Sequence, residues 1–284
     1  MIVAVCADKG SPGVTTLATL FGLIWPGDRI VVETDPAGAD LPLRVYTPDR
    51  STLQPEPTVL SLAADARMGL PDDALPAYAQ ATSLDVPVIP GALSPEMFLP
   101  MRALWPQVAG ELAKWSGTVI ADLGRLHPGH AALAVAKAAT IVVLLARPTV
   151  EGLYHLRDRA GELAHLLGDP AGGGNPVCVV VRTGPREQRE ALATATRVLQ
   201  AAGSPVPVVG AISDDPAGAH ALWAGILDRG LVRSALVKST KEVVGQLLDW
   251  WPELIDDPRP QMPAVASNPW VRAPEDHDAT RGQR

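Results

Sequence analysis

A glycine-containing turn near the start of the chain has the residue types that bind phosphate. It comprises Ala7-Asp8-Lys9-Gly10-Ser11-Pro12-Gly13-Val14-Thr15-Thr16, between an apolar run and residues with helical periodicity. Glycines let a backbone curl until several N–H groups converge on one anion, and the positive end of the helix dipole adds to the attraction. A Thr in the first helical turn can also ligate Mg²⁺. The turn therefore predicts phosphate and Mg²⁺ chemistry.

The turn departs at two positions from the strict phosphate-loop pattern G-x-x-x-x-G-K-[ST]. Asp8 stands where the first glycine belongs, and Val14 replaces the lysine that would reach the β- and γ-phosphates. A charge-assisted hydrogen bond from such a lysine contributes about 1.5–3 kcal/mol. Because valine contributes none, we expect nucleotide affinity to be weaker by about ten- to a hundredfold or more.

The elements around this turn alternate between short apolar runs and longer helical stretches. Most of the runs are apolar throughout, as expected for strands whose two faces are both buried. The sequence therefore predicts an α/β fold: a mostly parallel central sheet with helices on both faces. The expected strands are Ile2–Cys6, Ile30–Glu33, Val86–Ile89, Thr118–Ala121, Ile141–Leu145, Val177–Val181 and Val206–Val209, and the expected helices are Thr15–Leu23, Glu96–Trp115, His130–Ala138, Val150–Leu167, Glu187–Ala201, Pro216–Ile226 and Ser234–Trp251.

Composition limits the class of protein. The chain has 284 residues, a net charge of −7 and only 4% aromatic residues. The acidic balance argues against nucleic-acid binding over the whole surface. No apolar run approaches the ~18 residues that cross a bilayer, which excludes an integral membrane protein. The first residues carry no basic segment and have the pattern of a strand, so we expect a cytoplasmic protein.

The chain divides into a folded part and a tail. We predict one domain over residues 1–251. From residue 252 to residue 284, Pro, Asp, Arg and Gln predominate without an apolar period. Such a composition cannot bury enough apolar surface to fold, so we predict that residues 252–284 are disordered.

The turn resembles the deviant Walker A motif of the MinD/ParA ATPases, Lys-Gly-Gly-x-Gly-Lys-[Thr/Ser]. Lys9 matches the signature lysine of that family, which crosses a dimer interface to the partner's phosphates. Ser11 replaces a glycine, Pro12 removes one backbone donor, and Val14 removes the lysine that acts in cis. The nucleotide-binding residues that the resemblance implies are Lys9, Gly10, Ser11, Gly13, Val14, Thr15, Thr16, Asp122 and Gly124.

Two further segments are similar to family motifs and follow in the family's order. The stretch Glu33-Thr34-Asp35-Pro36-Ala37-Gly38 resembles switch I, with Glu33 replacing its first aspartate. The resemblance implies that Asp35 positions the attacking water and contacts the metal shell, although Asp-Pro is also a common turn initiator. The stretch Asp122-Leu123-Gly124 is similar to Walker B and switch II. There a carboxylate holds Mg²⁺-bound water and a glycine N–H senses the γ-phosphate.

The resemblance implies a nucleotide-dependent switch. Two subunits would sandwich ATP and Mg²⁺, with Thr15, Asp35 and Asp122 in the metal shell. Asp35 and Lys9 would be the catalytic residues, and hydrolysis would release the dimer and change the surface offered to a protein partner. We therefore expect a homodimerising switch or positional organiser with weakened ATP binding and hydrolysis.

Two alternatives remain open at this point. The first is a pseudo-ATPase that acts without nucleotide as a scaffold for a pilus, secretion or partition assembly, because degraded loops resemble the CpaE/TadZ branch. The second is a small-molecule enzyme on the same fold, an ATP-dependent ligase or an electron-transferring reductase. The reductase would need a cysteine-ligated cluster, and Cys6 and Cys178 both fall in core strands.

Two surfaces could bind a membrane or DNA. The helical stretch Lys241–Trp251 could anchor to a membrane, but it carries a single basic residue and better fits packing against the sheet. Five arginines could form a DNA-contacting patch, although scattered solvated arginines are the commoner arrangement: Arg157, Arg159, Arg182, Arg186 and Arg189.

Overall fold

The central element is one seven-stranded sheet in which every neighbouring pair of strands is parallel. The computed structural model describes residues 1–10, 12–168 and 176–254. The strand order is β3-β2-β4-β1-β5-β6-β7. The strands are β1 (Ile2–Ala7), β2 (Arg29–Glu33), β3 (Val88–Ile89), β4 (Thr118–Arg125), β5 (Ile141–Ala146), β6 (Val177–Thr183) and β7 (Val208–Ser213).

Helices cover both faces of this sheet, because alternate residues of each strand point to opposite sides. Ile2, Ala4 and Cys6 of β1 belong to one apolar core, whereas Val3 and Val5 belong to the other. The helices are α1 (Val14–Ile24), α2 (Leu41–Arg44), α3 (Val59–Ala66), α4 (Pro95–Phe98), α5 (Trp105–Lys114), α6 (Leu133–Ala138), α7 (Val150–Leu167), α8 (Gln188–Ala201), α9 (Pro216–Trp223), α10 (Arg229–Arg233) and α11 (Ala235–Trp250).

The sheet order places a topological switch point at β1. Helix α1, which follows β1, packs on one face together with α11. Helices α6 and α7, which follow the neighbouring strands β4 and β5, contribute to the core on the other face. Adjacent chain crossings therefore diverge at the carboxyl end of β1, and ligands of open α/β sheets bind in the crevice that such a divergence leaves.

The predicted fold class is confirmed, and the differences from the predicted elements have local causes. The helix predicted over Glu96–Trp115 is divided into α4, a 3₁₀ segment at Leu99–Ala103, and α5. Pro100 and Pro106 lack the N–H that a continuous helix would use, and their rings clash with the preceding turn. The strand predicted at Val206–Val209 instead runs over Val208–Ser213.

Helix α11 packs on the sheet. In α11, Val243, Val244 and Leu247 are buried against β7 and α1. No helix in the described ranges is long and apolar enough to cross a membrane. The tail predicted from residue 252 begins with a 3₁₀ turn at Pro252–Leu254, in which Leu254 is buried. Its remainder, residues 255–284, lies outside the described residues.

Candidate functional site

The turn after β1 leads directly into α1. Gly10 and Gly13 have φ values of 83° and 103°, which side-chain-bearing residues rarely adopt. Gly13 is the N-cap residue of α1, and the described first turn contains neither a side-chain cap nor an acidic residue. The predicted binding residue Ser11 lies outside the described residues. The helix thus presents its N-terminal amides at the turn, as the sequence pattern predicts.

Val14 brings no polar group to the turn. Its side chain is only 7% exposed and belongs to the apolar core on the α1 face of the sheet. The following residues, Thr15 and Thr16, are half-buried in the first helical turn. Lys9 is exposed and lines a cavity of about 280 Å³ between the turn and the N-terminus of α7. The position that carries the in-cis lysine of the family is therefore part of the core here.

The first residue of the turn is tied to α7. Asp8 accepts a hydrogen bond from Nε of Arg159 at 2.7 Å and lies 3.4 Å from Nδ1 of His155. A charge-assisted pair of this kind holds the start of the loop against the helix. The sequence marked Asp8 as a departure from the glycine pattern, but the role of its partners on α7 had no sequence signal.

The guanidinium group of Arg182 lies against the far side of the turn. Nη1 donates to the carbonyl oxygen of Pro12 at 2.8 Å, and Nη2 donates to Asp214 at 2.7 Å. A Cβ atom at position 13 would stand 2.6 Å from Nη1, so only Gly13 permits this contact. The second oxygen of Asp214 accepts from Arg147 at 3.2 Å. The carboxyl ends of β6 and β7 therefore place a cation beside the turn.

Asp122 lies in β4 beside the first turn of α1. Its side chain is fully buried, and Oδ1 accepts the Gly124 N–H at 3.0 Å. Within the part of the chain that the structure describes, Oδ2 has no hydrogen-bond partner. Burial raises the pKa of Asp122 to about 6, although the hydroxyl of Thr15 and the Gly124 amide lower it. Such a carboxylate can satisfy its free oxygen by ligating a cation or a cation-bound water.

Asp35 is stacked on the backbone of Gly124. A Cβ at position 124 would lie 1.9 Å from Oδ2 of Asp35, and the φ of Gly124 is 58°. Oδ1 accepts the Ala37 N–H at 2.8 Å, and burial raises the pKa of Asp35. The structure therefore brings Asp35, Asp122, Gly124 and Thr15 together at one end of the sheet.

Glu33 holds the loop that carries Asp35. Its buried carboxylate accepts N–H groups from Asp40 at 2.6 Å, Leu41 at 3.1 Å and Gly91 at 3.1 Å. These three donors come from two different loops, so one side chain fixes both. Sequence reasoning identified Glu33 only as a replacement for a family aspartate and missed this role.

The arginines considered for DNA binding are largely paired. Arg159 contacts Asp8, Arg182 contacts Asp214, and Arg157 contacts its neighbour Asp158. Arg186 and Arg189 are exposed. Cys6 and Cys178 are both buried, and burial raises the pKa of each thiol. Neither set offers a prepared surface for DNA or an accessible cluster-ligating thiol.

Solved structures of ATPases have a similar fold. The ParA family ATPase from Chlorobium tepidum TLS matches with a TM-score of 0.66 and 14% identity, over 86% of this chain and 98% of that protein. The cell division ATPase MinD of Pyrococcus furiosus matches with a TM-score of 0.65 and 20% identity, over 88% and 98%. The MinD protein of Pyrococcus horikoshii OT3, complexed with Mg-ADP, matches with a TM-score of 0.62 and 18% identity, over 87% and 95%.

No protein-family model and no curated protein matches the sequence. The similarity to known proteins is thus one of fold. The chain covers each of the three solved structures almost completely, and its own sheet is parallel throughout. The chain therefore has the P-loop fold of the MinD and ParA ATPases.

Proposed function

We propose that this chain is a MinD/ParA-like, ATP-dependent homodimerising switch that organises the position of a protein assembly in the cytoplasm, with weakened nucleotide binding and turnover. The observation that carries the proposal is the fully buried Asp122 carboxylate beside the N-terminus of α1, whose Oδ2 has no hydrogen-bond partner among the described residues. A buried carboxylate that lacks a counter-charge is costly, so its presence at this place supports a cation site.

The residues around Asp122 suit Mg²⁺ held by a nucleotide. Asp122, Asp35 and the Thr15 hydroxyl supply oxygen ligands, directly or through water, which is the chemistry that Mg²⁺ prefers. The turn at residues 9–16 and the amides of α1 would hold the phosphates. Bound there, Mg²⁺ would neutralise phosphate charge. Lys9 is exposed and free to reach a second subunit, in keeping with the signature-lysine role.

The weakening follows from the turn itself. Val14 is part of the core, and Pro12 has no N–H to donate. The proposal therefore places the chain near the CpaE/TadZ branch, whose loops are similarly degraded. We do not include DNA, because Arg157 and Arg159 are paired with carboxylates and Arg182 lies against the turn rather than on an open surface.

A second candidate function is a scaffold that needs no nucleotide. The observation that favours it is that protein groups bind two residues of the turn: Asp8 is bound to Arg159 of α7, and Arg182 is bound to the Pro12 carbonyl. A loop held at both ends by protein groups could keep its shape without a ligand. Such a scaffold would serve a pilus, secretion or partition assembly through its surface alone.

One titration separates the two candidates. Purified protein is titrated with a fluorescent ATP analogue and Mg²⁺, while its mass is followed by light scattering. The switch predicts saturable binding below millimolar nucleotide together with a doubling of mass. Absence of binding below millimolar with an unchanged mass would refute the switch and leave the scaffold.

Val14→Lys provides the matched variant for this titration. If the turn retains the shape of a phosphate cradle, the added ammonium should raise ATP affinity by about tenfold. Val14→Met, which has similar reach without charge, should not. An equal effect of both substitutions would show that the lysine reports a packing change at α1.

A further inference from the structure

We infer that Arg182, which reaches the turn from β6, is a phosphate-contacting residue that supplies in cis the positive charge that Val14 lacks. This inference rests on one part of the proposed function, namely that the turn after β1 binds phosphate. It assigns a binding role to a residue 170 positions away from the turn in sequence.

The guanidinium group of Arg182 lies directly against the turn. Nη1 of Arg182 lies 2.8 Å from the Pro12 carbonyl oxygen and would lie 2.6 Å from a Cβ at Gly13. The group is therefore in van der Waals contact with the backbone that directly precedes α1. A planar guanidinium offers five donors, of which the Pro12 carbonyl and Asp214 use only two N–H groups.

Arg182 belongs to a small cluster of charged side chains. Asp214 lies between Arg182 and Arg147, at 2.7 Å and 3.2 Å. Among these three side chains, positive charges outnumber negative ones by one. Arg182 carries its charge next to the N-terminus of α1, which has no side-chain cap and whose helix dipole also favours an anion.

Two buried polar atoms at this end of the sheet have unsatisfied hydrogen-bonding capacity. Among the described residues, Nε of Arg182 and Oδ2 of Asp122 are both buried without a hydrogen-bond partner. A phosphate with its Mg²⁺ would bring an acceptor for the first kind of group and a cation for the second. Arginine is well suited to this role because its fork matches phosphate oxygens bidentately.

Gly13 permits Arg182 to approach the turn. A residue with a side chain at position 13 would clash with Arg182, so the glycine serves both the φ of 103° and the approach of the guanidinium.

The test uses tripolyphosphate as the probe, because it carries phosphate without a base. The full chain, Arg182→Ala and Arg186→Ala are titrated calorimetrically at fixed salt. Arg186 is exposed and four residues along, so it matches the change in net charge. We expect Arg182→Ala to lose about tenfold or more in affinity and Arg186→Ala to stay within about twofold.

A rescue variant separates charge from loop shape. In Arg182→Ala/Val14→Lys the cation returns from α1, and we expect most of the lost affinity to return with it. Arg182→Gln keeps a donor without the charge and should behave like the alanine variant, which covers the case in which Arg182→Ala does not fold.

Three results would overturn the inference: no binding of tripolyphosphate by the unmodified chain, equal losses in Arg182→Ala and Arg186→Ala, or no recovery in the rescue variant. Failure of the switch is a different result. A chain that binds tripolyphosphate through Arg182 but keeps its mass with MgATP would retain this inference and lose the dimerising function.

Discussion

A single carboxylate, Asp122, combines a cost in stability with a use in binding. It is fully buried, has one oxygen without a partner in the described part of the chain, and has a pKa raised to about 6 by burial. An ionised group in that environment destabilises the folded state at neutral pH. Side chains that cost stability in this way are typical of binding sites.

Asp122→Asn should therefore improve stability and remove the metal response. We expect the free energy of unfolding to rise by about 1–3 kcal/mol at pH 8, because the desolvated charge is gone. ATP affinity should then be the same with Mg²⁺ and with a chelator, measured by titration. Asp28→Asn, at an exposed position, is the control. A variant that is less stable and keeps the Mg²⁺ response would contradict both expectations.

The loops that form the site are bound by side chains of the neighbouring strands and helices. Glu33 at the end of β2 binds backbone amides of two loops, and Asp8 binds the start of the turn to α7. Because these ties come from strand ends and helix faces, they fix the loops relative to the sheet.

Glu33 should make stability depend on pH. Burial, with the nearby charge of Asp122, raises its pKa to about 8 from 4.5, although backbone N–H groups of Asp40, Gly91 and Leu41 lower it. The folded protein therefore retains a proton that the unfolded chain releases. The contribution of this group to stability is fully present below pH 4.5 and is lost as the pH rises towards about 8.

The measurement compares the unmodified chain with Glu33→Gln in denaturant at pH 5 and at pH 8.5. The advantage of the glutamate in free energy of unfolding should shrink by at least about 1 kcal/mol between the two values. A constant difference would mean that Glu33 has the same protonation state folded and unfolded.

Helix α11 gives a prediction for packing. Leu247 is fully buried between the helix and the sheet, whereas Gln246 is exposed one residue earlier. Leu247→Ala should lower the free energy of unfolding by about 2–5 kcal/mol, because it leaves a cavity. Gln246→Ala should change it by less than about 0.5 kcal/mol. Urea denaturation measures both, and similar small effects would contradict packing of α11 on the sheet.

In the molecule as a whole, the candidate groups gather at the carboxyl ends of the strands. The turn follows β1, Asp35 follows β2, and Asp122 lies in the second half of β4. Arg182 and Asp214 come from the ends of β6 and β7. Apolar cores on the two faces of the sheet pack against these strands. Lys9, which the resemblance to the MinD/ParA ATPases predicts to contact a second subunit, is exposed at this end of the sheet.

Lys9→Ala should leave folding unchanged and abolish nucleotide-driven dimerisation. An exposed lysine contributes little to stability, so the free energy of unfolding should shift by less than about 0.5 kcal/mol. Light scattering with MgATP should report a monomer for Lys9→Ala and a dimer for the exposed-site control Lys137→Ala. A dimeric Lys9→Ala would argue against the signature-lysine role.

Local patterns in the sequence determined a large part of this description. Apolar runs such as Ile141–Ala146 can be recognised as buried parallel strands because both of their faces must be covered. The turn at residues 8–16 is recognisable because its glycines, its threonines and its place between strand and helix are all local features. The division of the helix at Pro100 and Pro106 is also a local feature, because each proline lacks the N–H that a continuous helix needs.

Which charged groups meet at the turn depends on the fold of the whole chain. The contacts of Arg182 with Pro12, of Arg159 with Asp8, and of Glu33 with Gly91 join residues that are 170, 151 and 58 positions apart. No local pattern encodes such pairs, because they depend on the order of strands in the sheet and on the side to which each crossing turns. The sequence shows that valine occupies position 14, where the phosphate-loop pattern has lysine. The structure shows that the guanidinium group of Arg182 lies beside the same turn.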